Sequence, residues 1–191
     1  MSKENEGKTM TVVDYAIARL AKAGVKDMFG IPGDFAFPWG DAVVKNKDMN
    51  WLGASIELNA SYAADGYARV RGIGAICTTY AVGEMSALCG MMGAKAERVP
   101  VFHLVGMPSM RMQKQPYKIQ HHTLGDGVYQ NFINIGRQSA CATAVLTPEN
   151  CRYEMERVIS TALAESQPAS LVVAPDRADM PVTGREVPEY G

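Results

Sequence analysis

Four side chains able to move protons stand at turn-like positions in this chain. Asp34 lies behind Gly30-Ile31-Pro32-Gly33, Glu57 opens a small-residue segment, and His121-His122 leads into Thr123-Leu124-Gly125-Asp126-Gly127. Carboxyl and imidazole groups exchange protons near neutral pH when burial and neighbours tune them. Each of these positions follows a segment that reads as a strand. In an open parallel α/β sheet, groups at the carboxyl ends of strands line one crevice. An acid after the first strand, an acid after the second and two imidazoles after the fourth would therefore face the same ligand. That is the expectation of an active site, or of half of one.

Each of these residues also has a plainer reading. Glu57 is a first-turn acid that complements a helix dipole. Its flanks, Ala54-Ser55-Ile56 before it and Leu58 with alanines after it, suggest a covered carboxyl, where desolvation and the dipole pull in opposite directions. Asp34 fits a turn or helix-capping aspartate. Adjacent histidines diverge in an extended segment and suit a solvated loop. They do not read as a zinc pair: the only other histidine is His103, and no cysteine or carboxylate has ligand spacing around them. Gly125-Asp126-Gly127 resembles a phosphate-binding turn, a weak signal by itself. Glu97-Arg98 reads as a solvated helix end or a local ion pair of small worth.

The elements that would position these groups alternate in type. Val12, Ala16, Ile17, Leu20 and Ala23 recur at helical spacing, and Gly24 ends that helix. Asp27–Ile31 reads as a short buried strand, Trp51–Ser55 and Ile73–Thr79 as the second and third strands, and the unbroken apolar run Pro100–Val105 as a fourth covered on both faces. Helices are predicted over 36–46, Glu57–Val70 and Gly83–Glu97. The stretch from Gly106 to Gly127 is a long connection, and a loop of that length in a compact domain is more often functional than idle. Either Ile133–Ile135 or Ala142–Leu146 supplies a further strand. Thr147-Pro148-Glu149 is predicted to cap a helix over 149–165, and Leu171–Ala174 is the last strand. This strand–helix alternation predicts an α/β fold: a doubly wound, mostly parallel sheet with helices on both faces.

Composition narrows the class. The 191 residues are 47% hydrophobic with a formal net charge of −1, which suits one ordinary domain and offers no basic field for nucleic acid or a membrane surface. The first residues are polar, with no signal-peptide core, and no apolar run is long enough to span a bilayer. Cys77, Cys89, Cys141 and Cys151 form no Cys-x-x-Cys pair and read as reduced thiols of a cytoplasmic protein.

Together these segments resemble the N-terminal, pyrimidine-binding domain of thiamine-diphosphate-dependent 2-keto-acid decarboxylases, in the pyruvate/indolepyruvate/phenylpyruvate decarboxylase branch. The likeness runs through Val25–Asp34, Glu57-Leu58-Asn59-Ala60 with Tyr62–Arg69, Thr78–Ala87 and His121–Gly127. It implies 9–176 as the pyrimidine-binding domain, while composition reads residues 1–8 as a disordered N-terminus and 177–191 as a linker or tail. It implies thiamine diphosphate with Mg2+ as cofactors, and Glu57, Thr79, Val82 and Gly83 as residues that bind the cofactor. Glu57 would hydrogen-bond the pyrimidine ring nitrogen and promote the imino tautomer that deprotonates the thiazolium carbon. Asp34, His121 and His122 would handle protons on the way from 2-keto acid to aldehyde and carbon dioxide. Glu97 resembles a glutamate at a domain interface.

The chain also departs from the family pattern. Ala81 stands where glycine is usual, Phe35 where tyrosine is usual, and the segment Met110–Gln120, with Pro116-Tyr117-Lys118, is unusual before the histidines. These changes bear on substrate preference more than on cofactor use. In the family a second α/β domain holds the diphosphate and metal through Gly-Asp-Gly and later asparagines. Gly125-Asp126-Gly127 belongs to the histidine segment instead, and no metal ligands are assigned here. The resemblance therefore implies a fragment, inactive alone, that meets the missing diphosphate-binding domain and a second pyrimidine-binding domain in a homodimer or larger assembly. The linker-like tail fits that expectation. The alternatives are a separately encoded subunit of a two-chain decarboxylase, as in sulfopyruvate decarboxylase, and a non-catalytic binding or regulatory domain.

Overall fold

Strands of four to six residues alternate with helices along the chain, and a computed structural model describes residues 10–116 and 119–189 of the resulting fold. In chain order the elements are α1 (Val12–Lys22), β1 (Asp27–Gly30), α2 (Phe37–Lys45), β2 (Asn50–Gly53), α3 (Glu57–Arg71), β3 (Gly74–Thr78), α4 (Val82–Ala96) and β4 (Val101–Gly106). Two short helices follow, α5 (Met110–Gln113) and α6 (Asn131–Gly136), then β5 (Ala142–Leu146), α7 (Cys151–Glu165), β6 (Ala169–Val173) and α8 (Pro175–Ala178). The expected disorder of residues 1–8, the dipeptide Tyr117-Lys118 and the last two residues lie outside the described residues.

The sheet order is β2-β1-β3-β4-β6-β5, and every pairing is parallel. The helices cover both faces. On one side α1, α2 and α7 share a core with Met28, Ala75, Cys77, Phe102, Leu104 and Leu171. On the other, Ala60, Ala64 and Ala68 of α3 meet Ala87, Met91 and Ala94 of α4 over Ile76 and Val101. Alternate strand residues point to opposite faces, so the central strands β3, β4 and β6 are buried along their whole length. The fold is a doubly wound α/β domain.

Local chemistry explains the element ends. Thr11 caps α1 by accepting from the Asp14 amide at 3.2 Å, and Gly24 with φ +113° closes it. Arg19 of α1 and Glu156 of α7 form a buried double hydrogen bond at 2.6 and 2.9 Å, joining the two helices across 137 positions.

Of the two alternatives for a strand after residue 130, Ala142–Leu146 is the strand and Ile133–Ile135 lies inside α6. Two expectations are corrected. The helix expected from residue 149 starts at Cys151. Thr147 and Asn150 tie each other's amides through their side chains, so Pro148 sits in a turn ahead of it. The second strand ends at Gly53 and is mostly exposed at the sheet edge; Ala54–Ile56, with the Ala54 amide still bonded to the Gly30 carbonyl at 3.1 Å, lead into α3. Beyond β6 the chain turns back over the domain. Val182 is buried, and its amide bonds to the Met10 carbonyl at 3.0 Å.

Candidate active site

The strand order reverses between β1 and β3, because the connection after β1 runs to one side and the connection after β2 to the other. Ligands of open α/β sheets bind outside the carboxyl ends of strands at such a switch point. Here those ends are Gly30–Asp34 after β1 and Thr79–Gly83 after β3.

The two turns touch. A Cβ on Gly33 would lie 2.5 Å from Thr79 Cβ, so only glycine lets the Asp34 turn rest on Thr79. Gly106 plays the same part from β4, where a Cβ would fall 2.0 Å from the Phe35 carbonyl oxygen. Pinned from both sides, residues 34–36 form a single 3-10 turn that buries Phe35 and leaves Asp34 exposed.

Glu57 is the first residue of α3, half-buried, at the positive end of that helix. Its Oε1 would be 3.0 Å from a Cβ on Gly83, which places the carboxylate directly against the bare backbone at the start of α4. Thr79 Oγ1 is buried and has no hydrogen-bond partner among the described residues. Of the expected cofactor residues, the structure brings Glu57, Thr79 and Gly83 together, and Val82 stands at the same helix start, exposed. A buried glycine floor, a carboxylate and an orphaned hydroxyl make a cradle suited to the edge of a flat, nitrogen-bearing ring.

The histidines converge on Asp34. His121 Nε2 meets Asp34 Oδ2 at 2.5 Å, and Gln120 Nε2 meets His121 Nδ1 at 2.7 Å. With the amide donating to Nδ1, the proton sits on Nε2 and is donated to Asp34. Phe35 stacks on His121, with ring centroids 4.9 Å apart. The expected divergence of the two imidazoles does not occur, because the segment is a turn. His122 takes φ +60°, and its ring comes within 4.6 Å of that of His121. Gly125 and Gly127 both take positive φ, and Asp126 accepts from the Val128 amide and from Asn131, so that triplet shapes a loop.

Two residues near the site escaped the sequence reading. Tyr80 is fully buried, donates to the Tyr129 carbonyl at 2.8 Å and packs edge-on against Phe35 and Phe132. Glu84, one residue past Gly83, is also buried. Desolvation pushes its carboxyl up to about 7 against the pull of the Ala81 backbone, and its Oε2 has no partner among the described residues. Its position three residues after Ala81, at the helix start, is the sequence signal for a carboxylate reaching back to the first turn. Expected Glu97 accepts from Arg69 of α3 at 2.8 Å on the surface, which ties α3 to α4.

Comparison with known proteins agrees with this geometry. Residues 10–132 match the family model described as thiamine pyrophosphate enzyme, N-terminal TPP binding domain. An alpha-keto-acid decarboxylase of Mycobacterium avium (strain 104) is 42% identical over 94% of this chain and 32% of its own length. Proteins of the same description from Mycobacterium ulcerans (strain Agy99) and Mycobacterium tuberculosis (strain ATCC 25618 / H37Rv) are also 42% identical, over 93% and 90% of the chain and 32% and 30% of their own lengths. The chain spans about a third of the length of these curated relatives.

Proposed function

Because the chain belongs to the family of thiamine pyrophosphate enzyme N-terminal TPP-binding domains, we propose that it forms the pyrimidine-binding wall of a 2-keto-acid decarboxylase active site, working with Mg2+ held elsewhere. The observation that carries this reading is the cradle of Glu57, Thr79 and Gly83 at the switch point, next to the Asp34–His121 pair. The residues fit the cofactor's pyrimidine end. Glu57 would hold a proton at the ring nitrogen, Thr79 Oγ1 would find its missing partner, and Gly83 would let the ring approach the backbone. When bound, thiamine diphosphate supplies the carbon nucleophile and the electron sink for loss of carbon dioxide.

The chain's own residues do the rest. Asp34 orients His121 through the 2.5 Å contact, and Gln120 holds the other ring nitrogen, so the imidazole is kept in one tautomer with its proton toward Asp34. His122, half-buried beside it, orients the carboxylate of a 2-keto acid and the product as it forms. The diphosphate-binding domain and a second copy of this domain complete the site, with a cytoplasmic location as part of the same proposal. Among the described residues, no helix is long and apolar enough to cross a membrane.

The test is Glu57→Gln in the full-length protein, assayed on a panel of 2-keto acids with thiamine diphosphate and Mg2+. We expect turnover to fall by about 100-fold or more, the scale of a lost acid–base group, with the fold intact. Near-parental turnover would remove Glu57 from the role assigned to it.

A further inference from the structure

The cluster of Asp34, His121 and His122 has a second chemical capacity. One ligand atom from each of the three lies within 4.8 Å of the others. Two imidazoles and one carboxylate are the donor set of borderline-soft divalent cations, while hard cations such as Mg2+ prefer all-oxygen cages. A tetrahedral zinc centre with bonds of about 2.0–2.1 Å needs ligand atoms about 3.3 Å apart. Reaching that size means parting Asp34 and His121 from their 2.5 Å contact and drawing His122 in, a change of side-chain rotamers on turns.

Three observations beyond the donor set point to a ligand-binding arrangement. His122 holds a left-handed backbone conformation, uncommon for a non-glycine residue, which brings its ring toward His121. Its Nδ1 is buried and has no hydrogen-bond partner among the described residues. His121 is fixed from two directions, by the Phe35 ring stacked on it and by Gln120 at the nitrogen opposite Asp34. A ligating histidine is normally held by a polar group at its second nitrogen, and a turned Gln120 amide accepts Nδ1–H as readily as it donates. The sequence pattern led away from a metal because the carboxylate stands 87 positions from His121.

We propose that Asp34, His121 and His122 bind a divalent transition-metal ion, Zn2+ in particular, at a site separate from the Mg2+ that accompanies the diphosphate. A bound ion takes the place of the proton between Asp34 and His121. Occupancy therefore replaces the Asp34–His121 hydrogen bond with two metal bonds. The proposal does not depend on the decarboxylase reading.

The experiment is a calorimetric titration of the untagged chain with zinc chloride, with Co2+ absorption to report coordination and Mg2+ as comparison. Cys89, an exposed thiol, is the competing soft donor, so Cys89→Ser is titrated in parallel. We expect one Zn2+ per chain, and affinity weakened more than about tenfold in His121→Ala and in His122→Ala, since even orienting groups are worth about 10–100-fold. Binding should survive in Cys89→Ser. All three ligands lie on exposed or half-exposed turns, and thermal melts verify the fold of each variant, with Asp34→Asn as an independent third probe. No saturable binding, binding untouched in the histidine variants, loss in Cys89→Ser, or Mg2+ bound as tightly as Zn2+ would each overturn the proposal.

Discussion

At the scale of single residues, the structure places strain and buried charge beside the site. Ala81 adopts φ 55° and ψ −85°, a conformation that glycine tolerates and an L side chain resists. Such strain costs about 1–3 kcal/mol, while glycine gives back about 0.5–1 kcal/mol through the freedom of the unfolded chain. Ala81→Gly is therefore expected to stabilise the domain by about 1 kcal/mol, read as a higher urea midpoint at unchanged slope. A lower midpoint would refute the strain. Glu84 and His103 carry opposite pH dependences. Burial raises Glu84 from 4.5 to about 7 and lowers His103 from 6.5 to about 4. Between about 4.5 and 7 the folded state holds a proton on Glu84 that the unfolded chain has lost, so stability falls as pH rises. Between about 4 and 6.5 the unfolded chain protonates His103 while the folded state, with that ring against Thr78 at 2.9 Å, does not, so stability rises with pH. The two slopes cancel where the windows overlap. Glu84→Gln should match the parent near pH 4.5 and exceed it by about 3 kcal/mol at pH 8, and on its own should lose stability as pH falls from 6.5. A variant–parent difference independent of pH would rule out a neutral buried Glu84.

At the scale of elements, what could be read from the sequence follows from where burial leaves a signature. β3, β4 and β6 are covered on both faces, so Gly74–Thr78, Val101–Gly106 and Ala169–Val173 show as apolar runs and were legible to within a few residues. α6 was not, because Ile133 and Ile135 in so short a helix carry too little periodicity to separate it from a strand. The candidate residues Asp34, Glu57, His121 and His122 were visible as residue types at strand ends. The contact between Asp34 and His121, the left-handed turn at His122 and the burial of Glu84 depend on pairings across many positions, which no local pattern encodes. The glycines show the same limit. Gly106 looks like the end of an apolar strand, yet its missing Cβ is what admits the Phe35 backbone. Gly106→Ala would drive a methyl into main chain, with no flexible side chain to give way. We expect a loss of about 3 kcal/mol or more, at the upper end of overpacking costs, and a weakened Asp34–His121 contact. A shift of the His121 ring resonances in NMR spectra of the variant would report the displaced turn, and unchanged spectra with parental stability would show that the strand end yields easily.

At the scale of the whole molecule, the site has one chemical character. Its assembled groups are two carboxylates, two imidazoles, a hydroxyl and bare backbone, on a chain of net charge −1. This suits a neutral heterocycle and a proton relay. It does not suit a diphosphate, which requires cationic groups, a metal ion or a row of backbone amides. On the proposed reading the charge-bearing end of the cofactor is met by another surface; the chain spans about a third of the length of the relatives it matches. Binding energy for a two-ended ligand is not shared evenly when one end carries most of the charge, and a single wall leaves its reacting end unfixed. The isolated chain is thus expected to show no saturable calorimetric binding of thiamine diphosphate with Mg2+ at micromolar concentrations, and no release of carbon dioxide from pyruvate or larger 2-keto acids. Joined by the diphosphate-binding domain we propose, the chain should show both. Tight binding by the isolated chain would mean that it holds the diphosphate itself, and would replace the one-wall reading with a self-sufficient site. Weak binding that persists unchanged in Glu57→Gln would place the cofactor somewhere other than the Glu57–Gly83 cradle.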